Sequence, residues 1–443
     1  MKVGLISIGY GNFECGIAGE RMEETDAFIT QHGYEVTSFH KVLTDKSEIK
    51  NAVSKLENEH ADCLILQCGT FCGGEEILAL AAKIQRLPVV LWGFPEPEAG
   101  KYEKIAVNSM TAFLMASGIF QKMGVRFEIM FGCLPNVSSL LLNHLKALNV
   151  CLILKQSKFM TIGGRAPGFY FSSADELKFQ KTFGTQICRS SVEDLVKRCK
   201  SWDSQKTLEA AEKIVNRYGS CRLDRQQIDK AARIYLSLKE IKKETGTGAF
   251  AVRCWPEMQD FYDFAPCAVL GMLGDEGIIC SCEGDIPGLM TMYIGHLLSG
   301  SSVFFADLVN YNENGNLKFW HCGCAPVSLA EDPEKTQISI QPTLAREVGA
   351  ASSFGLKHGD VTVCQLKETD RGYLFWRAAG TSEEKDRMVS GNQMDVRMKG
   401  SWENILNSLV CHGIGQHFTL VYGDIKEELN ILLRWLSVDC VNV

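Results

Sequence analysis

Through the first 155 residues, short apolar runs alternate with amphipathic stretches, and that alternation limits the chain to a parallel, doubly wound α/β sheet. Runs 3–8, 35–39, 62–67, 88–92, 125–130 and 150–154 read as strands, and 19–31, 47–57, 75–84 and 108–117 as helices between them. Three loops follow these strands on one edge: Gly9-Tyr10-Gly11-Asn12, Cys68 to Gly74, and Trp92 to Pro97. Their glycines do not make a dinucleotide fingerprint, because position 14, where the third glycine belongs, is Glu, and no Walker lysine is present. A docking surface, or one wall of a polar pocket, is the expected use of that edge.

The rest of the chain changes texture twice. A turn-rich run around Thr161 to Gly168 opens a stretch dominated by helices at 191–200, 204–217 and 224–244, with strands at 249–253 and 277–280. Beyond about residue 301, strands follow one another without helices, at 302–310, 318–322, 337–341, 361–366 and 373–379. Turns such as Asn314-Gly315 separate them, the mark of an antiparallel sheet or barrel. A helix near 402–411, a strand from His417 and a terminal helix at 425–436 complete the chain. The expected fold class is therefore α/β in three parts. A Rossmann-like doubly wound domain spans 1–160, a second α/β domain 161–300, and a β-rich, barrel-like domain 301–443.

Composition narrows function by exclusion. With 443 residues, 46% hydrophobic and 22% charged, the chain can bury large cores. A net charge of −7 without basic runs argues against nucleic acid and anionic membranes as partners. The 18 cysteines are scattered through apolar segments, no signal peptide precedes the first strand, and no apolar run reads as long enough to span a bilayer. A reduced, cytoplasmic setting is expected. The pairs Cys280/Cys282 and Cys322/Cys324 have C-x-C spacing, which suits packed thiols better than structural zinc.

The chemistry gathers around Cys280 to Gly300. Glu283 and Asp285 follow an apolar strand, and Ile286, Leu289, Met290, Tyr293 and Leu297 carry helical spacing. Asp285 therefore reads as the N-cap of a helix with Pro287 in its first turn, a place where backbone N–H groups and the helix dipole favour a carboxylate. Other acids and imidazoles stand at strand ends: Glu257 after 249–253, His321 closing 318–320, and His417 opening the last strand. Two carboxylates with one or two imidazoles suit a divalent cation that accepts oxygen and nitrogen ligands.

The run Cys282-Glu283-Gly284-Asp285-Ile286-Pro287-Gly288, with Trp255-Pro256-Glu257 upstream and Gly415-Gln416-His417-Phe418 downstream, resembles the L-fucose isomerase and L-arabinose isomerase superfamily. The resemblance covers nearly the whole chain and implies Mn²⁺ or another divalent cation, and aldose–ketose isomerisation through a cis-enediol. It implies Glu257, Asp285 and His417 as metal ligands, with Glu257 and Asp285 also handling protons. His321 resembles the additional histidine of the arabinose isomerase branch. It implies a small sugar as partner, and a homo-oligomer, a hexamer, whose active site is shared between subunits, the glycine-rich edge of one roofing the site of another. The chain is shorter than fucose isomerases, so loops that read the sugar there are expected to differ here. Arg165, Arg253, Arg397, Trp92 and Trp376 are candidate readers of a hexose with a modified, anionic C6. A metal-dependent lyase or hydrolase on a sugar derivative, and a non-catalytic sugar-binding protein, are the alternatives on the same scaffold.

Overall fold

A computed structural model describes residues 1–98, 102, 104–312, 315–340, 347–383 and 389–443. The chain divides into two compact units, Met1–Leu152 and Ile153–Val443. The expected middle and C-terminal domains, 161–300 and 301–443, thus lie within one unit.

In the first unit, β1 (Lys2–Ile8), β2 (Glu35–Ser38), β3 (Cys63–Cys68), β4 (Val89–Gly93) and β5 (Phe127–Phe131) form a parallel sheet in the order β2-β1-β3-β4-β5. This is the doubly wound order in which β1 and β3 flank the switch point. β3, Cys-Leu-Ile-Leu-Gln-Cys, is buried along its whole length, as a parallel strand covered on both faces must be. Ile6, Leu64, Leu66 and Leu91 pack with Leu56, Leu80 and Phe120 from the covering helices.

One expected strand is corrected. Residues 150–154 belong to the helix Leu134–Gln156. A short apolar run does not by itself distinguish strand from helix, and here Ala147, Val150, Cys151 and Leu154 bury one helical face through it. Among the described residues this is also the one helix long and apolar enough, by length and composition, to cross a membrane, with a mean hydropathy of 1.6. It corrects the expectation that no run reaches that length. In that window 44% is buried within the protein.

The second unit begins with another parallel sheet. β6 (Lys158–Ile162), β7 (Gln186–Ser190), β9 (Ala249–Val252) and β10 (Ile279–Ser281) are ordered β10-β9-β6-β7, while β8 (Ser220–Cys221) pairs elsewhere. Sequence reasoning took β6 for part of a turn-rich boundary and missed β7. The helix Ile286–Ser299 starts as expected, with Asp285 as its N-cap, Pro287 in the first turn and Gly300 in the left-handed conformation at its end.

Then come β11 (Phe304–Tyr311), β12 (Leu317–His321), β13 (Gln337–Ser339), β14 (Ala351–Gly355), β15 (Gly359–Thr369), β16 (Gly372–Glu383), β17 (Asn392–Met398), β18 (His417–Tyr422) and β19 (Asp439–Asn442). The expected strand 337–341 ends at Ser339; its last residue, Gln341, and Asn314 of the expected turn lie outside the described residues. Six of these strands pair in a ring, β11-β12-β17-β16-β15-β18 and back to β11, every pairing antiparallel. The β-rich part is therefore a closed barrel. β16 makes closure possible by its length: Leu374 to Arg377 carry β19, while Gly380 to Glu383 turn onto β17.

Candidate active site

The site lies where the carboxyl end of β10 meets the barrel wall. After Ser281 the chain turns sharply: Glu283 has φ 60° and Gly284 φ 69°. A left-handed glutamate is unusual, and such strain persists only where surrounding structure enforces it. Here the enforcement is visible. Glu283 O accepts from Ala166 N (2.9 Å), Gly284 N donates to Val252 O (3.1 Å), and Ser281 Oγ donates to Asp285 O (2.6 Å). A Cβ at Gly284 would sit 2.0 Å from Gly164 O, so only glycine fits. The turn carries Glu283 and Asp285 to the same imidazole.

That imidazole is His417, the first residue of β18. Its Nδ1 lies 2.7 Å from Asp285 Oδ2 and its Nε2 2.8 Å from Glu283 Oε2. Asp285 Oδ1 meanwhile accepts from Gly288 N (2.7 Å) as the helix cap. With a carboxylate on each nitrogen, the surroundings favour protonation of both nitrogens. Burial opposes the charge, but Asp285 and Glu283 outweigh it and push the pKa up to about 10. Burial likewise opposes the charge on Glu283, yet His417, His321 and the Trp255 indole, which donates to Oε1 (2.9 Å), hold it below the usual carboxylate range.

The barrel supplies two further groups. Asp307 is the ladder partner of His417 on β11, and its Oδ1 lies 3.6 Å from His417 Nε2; burial raises its pKa. His321 ends β12, and the donor atoms of Glu283, His321 and His417 lie within 4.8 Å of one another, all buried. Phe305 packs on both rings, with centroids 5.5 Å from His321 and 4.7 Å from His417, and Phe169 stacks on His417 at 5.6 Å. These aromatics cover part of both rings, while Asp285 and His417 still face a cavity.

Behind His321 lies a shell of thiols. His321 Nδ1 is 3.3 Å from Cys322 Sγ and 3.4 Å from Cys324 Sγ. Cys267 and Cys322 approach to 3.6 Å, Cys254 and Cys282 to 3.0 Å. All 18 cysteines are free. Hydrogen bonds from Cys267 and Cys282, with His321, hold the Cys322 thiol well below the ordinary cysteine range despite burial.

Of the four expected site residues, Asp285, His321 and His417 stand together, and Glu257 is paired with Arg253. Glu257 opens the helix Glu257–Tyr262, and its Oε1 is 2.5 Å from Arg253 Nη2. Its Oε2 is buried with no hydrogen-bond partner. Glu283, named beside Asp285 after the strand but not expected as a ligand, takes the position facing both histidines. Asp307 was missed altogether; its one signal was an acid in the otherwise apolar run Phe304-Phe305-Ala306. Among the proposed sugar readers, Trp92 and Trp376 are buried and donate to Gly132 O and Ser408 Oγ, and Arg397 pairs with Glu383. Arg253 pairs with Glu257, and Arg165 pairs with no described carboxylate.

A cavity of about 440 Å³ opens from Asp285 and His417, bounded by Phe171, Ser172, Lys178, Gln365, Glu368 and Gln416. That volume suits a small ligand.

No family model matches the chain. It is similar to sulfoquinovose isomerase of Priestia aryabhattai, 26% identical over 98% of this chain and 97% of that one. The proteins of that name from Alkalicoccus urumqiensis and Clostridium sp. (strain MSTE9) are 26% and 28% identical, over 99% of this chain and 98% of each. A solved solute binding protein from Agrobacterium vitis with bound D-fucose overlays with a TM-score of 0.16 at 11% identity, covering 59% of this chain and 80% of that one, too low to bear on the fold. The full-length likenesses support a sugar isomerase, and the chain is an enzyme of the isomerase class, an intramolecular oxidoreductase.

Proposed function

We propose that this protein is a cation-dependent aldose–ketose isomerase of an anionic sugar, with sulfoquinovose, named in its relatives, as the substrate to test first. The observation that carries the reading is the buried Glu283–His321–His417 group beside Asp285, opening onto a cavity of about 440 Å³. One carboxylate and two imidazoles fit a divalent cation such as Mn²⁺. In this reading Glu283, His321 and His417 hold it. His417 binds through Nε2, because its Nδ1–H stays with Asp285, the carboxylate that fixes the ring's tautomer and orientation. When bound, the cation supplies Lewis-acid polarisation to the sugar oxygens at C1 and C2.

The chain's own groups handle the protons. Isomerisation removes a proton from C2 and returns it to C1 across a cis-enediol, so a base and an acid must serve adjacent atoms. Asp285 lines the cavity and belongs to one of these roles. Glu257, with one buried oxygen unpaired, belongs to the other. Phe169 and Phe305 cover part of the histidine rings. Functionally, the 161–300 segment contributes acids and the 301–443 segment contributes the barrel histidines. We further propose a closed hexamer in which the glycine-rich edge of one copy roofs the cavity of another, and a reduced, cytoplasmic setting in keeping with 18 free thiols.

The test is an NMR assay of sulfoquinovose with Mn²⁺, with chelator, and with two variants. Glu283→Gln is expected to weaken Mn²⁺ binding about 10-fold or more. Glu257→Gln is expected to keep Mn²⁺ and lose about 10²-fold or more in kcat. Turnover that survives both chelation and Glu283→Gln would overturn the cation-dependent reading.

A further inference from the structure

The cavity beside His417 is a poor host for a negative group. Asp175, Asp285, Glu368 and Asp370 line it. Of its lysines only Lys178 is paired with a carboxylate, Nζ to Glu368 Oε1 at 2.7 Å, while Lys367 Nζ donates to His412 O (2.7 Å) and His417 lies between carboxylates, so four acids outnumber the positive groups facing them. The anionic end of a sugar held there must be met elsewhere.

A smaller recess of about 50 Å³ adjoins it, sharing Ser172, Ser173 and Ala174 as walls. Gly284, between Glu283 and Asp285, forms another wall, so the recess lies next to the reacting groups. It sits toward the carboxyl ends of the parallel strands β6 and β7, where open α/β sheets receive ligands. Three features mark it as a place for an oxyanion. The Thr161 hydroxyl, on a residue 4% exposed, has no hydrogen-bond partner, a state that burial penalises. The Arg165 guanidinium packs over Tyr170 (4.7 Å) and gives one donor to Ala166 O (3.2 Å), but among the described residues no carboxylate neutralises it. Glu176, the acid in the wall, is paired with Arg189 beside it. Ser172, 1% exposed, adds a hydroxyl at the junction with the larger cavity. A water needs roughly 10–15 Å³ of such space, so the recess has room for a small polar group such as a tetrahedral head group.

We propose that this recess is the anion subsite of the enzyme, where Arg165, Thr161 and Ser172 bind the tetrahedral oxyanion carried by the sugar at the end remote from C1 and C2. The proposal rests on the isomerase reading for its substrate. Sulfonate and phosphate share the chemistry, and the experiment separates them.

The full-length protein is titrated by calorimetry with inorganic sulfate, methanesulfonate and inorganic phosphate, for the wild type, Arg165→Met and the near-isosteric Thr161→Val. Binding is expected in the wild type and about 10-fold or more weaker in Arg165→Met, the scale of a lost hydrogen bond to a charged group. In kinetics, KM for sulfoquinovose rises more than kcat falls, and the preference over the neutral 6-deoxy sugar drops by a similar factor. A lower KM for a sugar 6-phosphate would identify phosphate as the anion. Sulfate, methanesulfonate and phosphate binding that is unchanged in both variants would overturn the subsite. Absence of turnover with every sugar, while oxyanion binding still depends on Arg165, would instead overturn the isomerase reading and leave the subsite standing.

Discussion

Glu276 sits among three donors: Lys213 Nζ and Tyr235 OH each lie 2.5 Å from Oε1, and Lys239 Nζ 2.7 Å from Oε2. Burial alone would raise its pKa, but Lys213, Lys239 and Tyr235 bring it down to about 2. An unfolded glutamate titrates near ~4.3, so the folded state binds its proton more weakly than the unfolded state. The resulting stability is fully present above about pH 4.3 and disappears as pH falls toward about 2. Glu276→Gln should therefore lower Tm at pH 7, on the order of 1–2 °C for a loss of about 1 kcal/mol after solvent screening of this partly exposed group, and flatten the fall in Tm between roughly pH 4.3 and 2. Calorimetric scans across that range check it, and identical acid limbs for both proteins would refute it. At this scale the sequence was legible where a residue's role is local. Asp285 as a cap followed from the helical spacing behind it, and His321 and His417 stood out at strand ends. Glu283 did not stand out, because a glutamate at φ 60° follows no period and its partner lies 134 positions away. Glu257 looked like a free strand-end acid; Arg253, four residues earlier and just past the end of β9, holds half of it.

At the scale of elements, the turn from β10 to the helix Ile286–Ser299 carries the most constraint. Gly284→Ala places a Cβ 2.0 Å from Gly164 O and adds about 1–2 kcal/mol of left-handed strain. It should lower the urea midpoint and activity together, since both carboxylates ride on the turn. Gly19→Ala is the contrast: it lies in the helix Cys15–Gln31 with nothing within 4 Å of the new Cβ, and should stabilise by about 0.5–1 kcal/mol. Equal effects of the two would mean that the turn is not the constrained element. Most helices and parallel strands were readable because their apolar periods are long and uninterrupted. The failures were short or ambiguous elements. β7 is five residues of mixed burial, and the 150–154 run is apolar enough to suit either state, with only the helical spacing of Ala147, Val150, Cys151 and Leu154 to decide for helix. No local signal places β17 in the barrel; its partner β16 does so from the far side of a ring.

At the scale of the molecule, a barrel was foreseeable from strands that follow one another without helices, but its closure was not, since closure is a property of pairings far apart in sequence. Phe304 on β11 lies opposite Leu420 on β18, and the ring is complete only when that pairing has formed. Asp307, His321 and His417 stand on the neighbouring strands β11, β12 and β18. The time at which the chain acquires its chemistry is thereby tied to its slowest search. Pairings of such long range fold in roughly milliseconds to seconds, against microseconds for local helices. During refolding from urea, helical circular dichroism should return first. Tyrosine and tryptophan signals from the barrel, where Trp320 and Trp376 reside, should follow later, together with the Mn²⁺ uptake that the proposed function calls for. Stopped-flow mixing with Mn²⁺ at successive delays would time that uptake, and its recovery in step with the helices would show that the histidines assemble before the ring is closed. A chain still threading its last strand would then be folded in large part, yet chemically mute.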